Sequence, residues 1–282
     1  MTEPGHKIPR QIFVYWHGGF SDAHQVVQRC VQSWRQKNPD WRVILLDDGN
    51  VDRHTQGIDI PARIFDDLPI QKKANMIRLK LLLLHGGVWA DATLFCNRPL
   101  DEWIDEATRS GAFMFDNPGP DREMANWFIA AQPDNYLIRT LYQAQCEYWT
   151  RHDFDHQSWA MRTLKPWFNR ILNRRKPLTR FWLTPIATRM LKIYAYHIFH
   201  HHFYWLMCRD KRFAEIWHGR KPYPARDAAL IQKLGMTGSL TDQARSAIDA
   251  SPSPVFKLSY KFDDQQITRD TVLDYLFSTL PS

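Results

Sequence analysis

Residues Lys72 to Trp103 read KKANMIRLKLLLLHGGVWADATLFCNRPLDEW. A strongly apolar helical pattern stops at a Gly pair and restarts as a short β-rich run that delivers one carboxylate, Asp91, followed by Ala92 and Thr93. An acid left unpaired at the end of a buried strand costs roughly several kcal/mol, so Asp91 must meet a cation or a reacting group. Arg78 on the preceding helix must either pair or reach a ligand. A structural Arg78–Asp91 salt bridge beneath a packed helix and a ligand site account for these two residues equally well. Lys72 and Lys73 fall in the first helical turn, the unfavourable end for cations, which is consistent with an anionic ligand nearby.

The elements that must position these groups are legible in outline. Met76, Ile77, Leu79, Leu81, Leu83 and Leu84 make the helix apolar around most of its girth, which predicts burial on several sides. His85-Gly86-Gly87 is a helix stop, because Gly takes the left-handed conformation readily, and Val88-Trp89-Ala90 is short enough for an interior strand. Upstream, Gln11–Trp16 is a β-rich run ending in His17-Gly18-Gly19, either an ordinary turn or a place where backbone approaches a ligand. Asp22–Lys37 is an amphipathic helix with Val26, Val27, Cys30, Val31 and Trp34 on its apolar side. Arg42–Leu46 is a second strand, and its Asp47-Asp48 end lies where open parallel sheets bind ligands, although a turn role for both acids is simpler. Further on, Gly111–Asp116 and Asn126–Ala131 are strands joined by a turn containing Pro118-Gly119-Pro120. Asp134 is a good N-cap for a helix to about Thr150. Arg226-Asp227 opens a helix to Leu234, Val255–Lys261 is a late strand, and Arg269–Leu280 is a closing helix.

Composition limits the alternatives. The 282 residues suffice for one large domain with a helical appendage. Net charge is 37 − 30 = +7, which suits phosphate-bearing ligands or an anionic membrane surface, and no zinc-finger spacing or other nucleic-acid motif is present. Cys30, Cys96, Cys146 and Cys208 are scattered, without a disulfide or zinc pattern. Met1–Arg10 is too polar for a signal peptide, and no uncharged apolar run reaches the ~18 residues of a membrane span. A reduced, cytoplasmic protein is expected. From Phe154 to Arg212, aromatics such as Trp159, Trp167, Trp182, Phe199 and Trp205 interleave with Arg and Lys. That stretch is either an interfacial surface at the inner membrane face or a helical subdomain packing its aromatics on the sheet. His197, His200, His201 and His202 suit a pocket wall or simple packing better than a metal site.

Residues 72–103 resemble the capsular polysaccharide synthesis protein family, whose members often carry D-A-T in place of D-x-D, within the DXD-type glycosyltransferases of GT-A fold. Arg78, Gly86, Gly87, Trp89, Asp91, Ala92 and Thr93 match in register, as does Pro99–Trp103. Ser33-Trp34, Asn38-Pro39, Trp41, Asn126–Ile129 and Val255–Lys261 resemble further family segments. Asn75 departs from the Asp usual in the wider group, and Thr93 from its second metal carboxylate. The resemblance implies an α/β, Rossmann-like GT-A fold with a mixed central sheet. Residues 1–153 would form a nucleotide-sugar-binding core, 154–222 a helical subdomain on the acceptor or membrane side, and 223–282 a part closing the core. It implies sugar transfer, with retention, from a nucleoside diphosphate donor to a glycan or lipid-linked acceptor in capsule, O-antigen or related synthesis. Asp91, Arg78 and Asn75 would act on the donor. Tyr15, Trp16, Gly18, Trp89, Lys257 and Lys261 would bind the nucleotide diphosphate, with Trp16 beside the base. Asp91, Thr93 and Asp227 would hold Mn²⁺ or Mg²⁺, weakly or dispensably given Thr93. Exposed strand lysines are the simpler account of Lys257 and Lys261. A donor hydrolase, a non-catalytic sugar-binding subunit and a nucleic-acid-binding module are the rival readings.

Overall fold

The computed structural model describes residues 7–152, 154 and 158–280. Among the described residues seven strands are formed: β1 Gln11–Tyr15, β2 Arg42–Leu46, β3 Gly87–Ala90, β4 Leu94–Cys96, β5 Ala112–Gly119, β6 Arg122–Ala131 and β7 Val255–Lys257. Five make the central sheet in the order β2-β1-β3-β6-β5, while β4 and β7 form a separate antiparallel ladder. β1 runs parallel to β2 and β3, whereas β6 is antiparallel to β3 and β5. The sheet is therefore mixed, as expected. Helix Gln25–Lys37 makes the crossover between β1 and β2 and buries Val26, Val27, Cys30, Val31 and Trp34, the face its spacing predicts.

Helix Ile70–His85 is buried on several sides: Met76, Ile77, Leu79, Leu81 and Leu82 are all in the core, and so are the polar Lys72, Asn75, Arg78 and Lys80. It ends at Gly86, at φ 61° and ψ −160°, a region essentially reserved for glycine. A Cβ on Gly86 would lie 2.6 Å from the Pro133 backbone nitrogen, and one on Gly87 (φ 93°) 2.7 Å from the Gln11 carbonyl oxygen. The Gly pair thus serves two purposes. It stops the helix, and it lets β3 enter the sheet between β1 and β6.

Several boundaries differ from the sequence expectation. β5 runs on through Pro118 to Gly119, with register shifts after Met114 and Asp116, so the turn is Pro120-Asp121. Proline is tolerated there because β5 is an edge strand and irregular. Asn135, not Asp134, caps helix Tyr136–Arg151, its Oδ1 accepting from the Leu137 amide at 3.0 Å; Asp134 takes a left-handed φ of 54°. The late strand stops at Lys257. The segment opened by Arg226 begins as a 3₁₀ turn, Asp227–Ala229, before helix Leu230–Leu234.

The aromatic, basic segment divides in two. Trp182, Tyr194, Phe199 and Phe203 are buried in the same core as Trp89 and Met114, and helix Ile198–Arg209 packs on β6. Trp159, Trp167, Leu178, Ile186 and Met190 are exposed, together with Arg162, Arg170, Arg174 and Arg189. Among the described residues no helix is long and apolar enough to cross a membrane.

Candidate active site

The carboxyl ends of β1 and β3 open on a cavity of about 450 Å³, within the usual range for small-ligand pockets. Tyr15, Trp16 and His17 line it from the end of β1, and Trp89, Asp91, Ala92 and Thr93 from the end of β3. Helix Ile70–His85 contributes Gln71, Ala74, Asn75 and Arg78, a spacing of i, i+3, i+4 and i+7 that places all four on one face. The far wall consists of Arg122, Asn126, Tyr196, His197 and His200, and Lys257 and Tyr260 close the remaining side.

Asp91 sits at the centre of the polar network. Its Oδ1 accepts from Trp89 Nε1 at 3.0 Å and lies 3.4 Å from Arg78 Nη2, and its Oδ2 accepts from Lys257 Nζ at 3.0 Å. Burial alone would raise its carboxyl pKa, but Lys257 and Arg78, helped by the Trp89 bond, hold it below the usual carboxylate range. The salt bridge and the ligand site are therefore not alternatives, because the paired carboxylate still lines the cavity. Arg78 is fixed further by its Nε bond to the Ala74 carbonyl at 3.1 Å, by a bond to the Asn126 carbonyl, and by stacking 4.9 Å from the Trp89 ring centroid. Asn75 Oδ1 accepts from Asn126 Nδ2 at 2.9 Å, which leaves the Asn75 amide N–H groups for a ligand.

Lys257 reaches Asp91 because β7 pairs with β4 in a register that sets Lys257 opposite Leu94. Its ammonium also donates to Thr93 Oγ1 at 2.8 Å. Lys72 lies in the cavity wall, donates to the Tyr196 carbonyl, and sits 5.1 Å from the Tyr196 ring centroid. Burial, with Lys165 nearby, lowers its pKa to about 7. Lys73 points elsewhere, over Phe65, so only the first of the two N-terminal lysines faces the site.

Other expected site residues are placed differently. Gly18 is next to lining residues but is not itself in the wall, and a Cβ there would meet nothing within 4 Å. Lys261 is exposed, beyond the end of β7. Asp227 is outside the cavity lining and pairs with Arg226 at 3.5 Å. Asp47 and Asp48 take structural roles: Asp47 Oδ1 accepts from the Gly49 amide at 2.9 Å, and Asp48 accepts from the Tyr15 hydroxyl. Among the described residues no three His, Cys, Asp or Glu side chains group as metal ligands. Asp91 and Thr93 both contact the Lys257 ammonium, so the donors present do not fit a protein-held divalent ion.

Spacing did not reveal several groups in the wall or directly behind it. Asp121, in the β5–β6 turn, is 2% exposed; it accepts from His197 Nδ1 at 2.8 Å, and His201 Nε2 is 3.4 Å away. Arg122 Nε lies 3.3 Å from its other oxygen. Asp121 and His197 are 76 residues apart, and no local pattern links them. Trp16 and Tyr260 meet edge to face, with centroids 5.0 Å apart, and form a small aromatic platform. Tyr260 was visible only as part of the Val255–Lys261 segment.

Known proteins resemble a little under half of the chain. An O-glycosyltransferase, braB, of Annulohypoxylon truncatum is 31% identical over 149 residues, 46% of this chain and 35% of that protein. The initiation-specific alpha-1,6-mannosyltransferase of Candida albicans is 28% identical over 138 residues, 43% of this chain and 35% of that protein. The matches span about a third of the length of these curated relatives. A solved PaToxG glycosyltransferase overlays 86% of this chain and 84% of its own, with a TM-score of 0.40 and 13% identity. The family model described as capsular polysaccharide synthesis protein matches residues 2–161, more than half of the 282. On that match the chain belongs to the capsular polysaccharide synthesis protein family.

Proposed function

We propose that this chain is a glycosyltransferase, moving a sugar from a nucleoside diphosphate sugar to a hydroxyl of a glycan or lipid-linked glycan in surface-polysaccharide synthesis. One observation carries the reading: the family residues Arg78, Trp89, Asp91 and Thr93 converge on a cavity rich in cations at the carboxyl ends of β1 and β3. The glycosyltransferase names of the relatives support it. In this reading the base rests against Trp16 and Tyr260, and the diphosphate lies toward Lys257 and Lys72. Asn75 donates to a sugar hydroxyl, and the acceptor enters along Asn126, His197 and His200. Charge building on the departing diphosphate is met by side chains already fixed in place, usually the largest catalytic contribution.

Retention is part of the proposal. Asp91, the one carboxylate among the described lining residues, is held by two cations and is a weak base. The acceptor hydroxyl then attacks the anomeric carbon on the face the diphosphate leaves, and its proton passes to a departing phosphate oxygen. An anionic inner membrane surface is the proposed docking partner, because exposed Trp159, Trp167, Ile186 and Met190 accompany exposed arginines. Vesicles containing anionic lipid should carry the protein in flotation at low salt; no binding would exclude that placement.

The deciding experiment is a thermal-shift panel of UDP-, GDP-, CMP- and dTDP-sugars on wild type and Asp91→Ala. Stabilisation by at least one donor, lost in the variant, supports the reading. If no donor acts, or both proteins respond alike, it fails. Product analysis with and without glycan acceptor then separates transfer from donor hydrolysis, and the anomeric configuration of the product tests retention.

A further inference from the structure

We propose that Lys257 is the resident cation of the donor site, so that the chain binds a nucleoside diphosphate without a divalent metal. This rests on the donor-binding reading above and specifies how that site handles phosphate. The first observation is the charge of the wall. Its described residues include Lys72, Arg78, Arg122 and Lys257 against the single carboxylate of Asp91, and Asp121 behind the wall offsets Arg122, which gives 4 − 2 = +2 with Lys72 protonated. A divalent ion entering such a wall adds like charge, whereas a diphosphate neutralises it.

The second observation is occupancy by the chain itself. Lys257 Nζ lies 3.0 Å from Asp91 Oδ2 and 2.8 Å from Thr93 Oγ1, the two side chains whose motif positions imply metal ligands. Thr93 brings no charge, so the pair offers a cation one negative charge instead of two. That matches an ammonium better than Mg²⁺, which dehydrates reluctantly and demands octahedral geometry. The third is rigidity. Lys257 is fixed at the backbone by the β4–β7 ladder, by the Leu258 amide donating to the Thr93 carbonyl at 2.9 Å, and by Gln232 Nε2 donating to the Lys257 carbonyl at 2.7 Å. An ammonium has three N–H donors; Asp91 and Thr93 take two, and the third serves a phosphate oxygen. The cavity side of the lysine is open, since Lys257 itself lines the cavity.

The test is calorimetric titration of the full chain with UDP, GDP, CDP and dTDP, in EDTA and again in Mn²⁺. Wild type should bind one nucleotide in EDTA within about threefold of its affinity in Mn²⁺. Lys257→Gln should lose at least ~10-fold in EDTA, the size of a lost charge-assisted contact, and Lys257→Arg should retain most of the affinity. Circular dichroism and melting curves establish that both variants fold. Binding by wild type in Mn²⁺ alone, or undiminished binding by folded Lys257→Gln in EDTA, overturns the assignment and leaves the transferase reading standing. Absence of binding in both media overturns the transferase reading, and this assignment with it.

Discussion

The most exposed consequence of the site at residue scale is the ionisation of Lys72. Its amine is buried in the cavity wall without a carboxylate partner among the described residues, and burial brings its pKa to about 7. An anionic ligand would favour the ammonium and raise that value. Nucleotide affinity should therefore be greatest below pH 7 and weaken as pH rises through 7, with proton uptake on binding near neutrality. Calorimetry in buffers of different ionisation enthalpy reads that uptake directly, and Lys72→Gln should abolish it; equal uptake by both proteins would remove Lys72 from the site. Asp91→Asn makes a second prediction. The amide keeps an acceptor for Trp89 but leaves Arg78 and Lys257 without their counter-charge. Breaking a buried pair on one side costs about 3–5 kcal/mol, and the partial exposure of Asp91 places the loss at the lower end. Denaturant melts of the variant should show it, with Arg78→Lys losing less, since it keeps the charge but not the fork. At this scale the sequence was most legible where one element carries several site residues. Arg78, Asn75, Trp89, Asp91 and Thr93 lie on a single helix–turn–strand unit. Asp121 was hidden because only the fold brings it to His197.

At the scale of elements, the Gly86-Gly87 turn controls how the site is assembled. Both residues take positive φ, and a Cβ at either would press on backbone atoms at 2.6–2.7 Å, which side-chain motion cannot relieve. Gly86→Ala or Gly87→Ala should thus cost at least ~2 kcal/mol, from the left-handed backbone and the overlap together, and about 5 °C or more in melting temperature. Gly18→Ala, at a position with open space and no left-handed φ, should stay within ~0.5 kcal/mol. A thermal melt of the three variants checks the contrast; similar losses in all three would mean that the turn is not what positions β3. This element was readable because helix period, Gly stop and strand follow one another without interruption. β4 was not, because three residues, Leu94–Cys96, are too few to show an alternation, and its pairing with β7 joins segments more than 150 residues apart. The extension of β5 through Pro118 was missed for a related reason. Proline argues against a strand until the strand is known to be an edge.

For the whole molecule, the +7 charge and the buried histidines of helix Ile198–Arg209 make stability depend on pH in a defined direction. Burial lowers the pKa of His200 and His201 and takes His202 to about 3. Around His202 stand Gln145, whose Nε2 donates to its Nδ1 at 2.6 Å, the Tyr148 ring at 4.8 Å, and His152 and His201 as neighbouring imidazoles. A neutral folded histidine whose unfolded pKa is ~6.5 binds fewer protons folded than unfolded below that pH. Its contribution is complete above pH 6.5 and is lost as pH falls toward 3. Asp121 adds a second, lower window. Burial would raise its carboxyl, but bonds from His197 and His201 and the charge of Arg122 hold it far below the carboxylate range; its contribution is present above the unfolded pKa of ~3.9 and lost as pH falls below it. Lys72 acts in the same direction from the alkaline side, since its lowered folded pKa makes stability rise between pH 7 and ~10.4. The melting temperature should therefore climb from pH 4 to pH 7, with net repulsion adding to the acid loss, and rise further above pH 7 through Lys72. His202→Gln removes one of the titrating groups while keeping an acceptor for Gln145, so its melting temperature should fall less than that of wild type between pH 7 and pH 4.5. Parallel curves would mean that the buried histidines do not set the acid limit, and would shift that role to Asp121 and the surface charge.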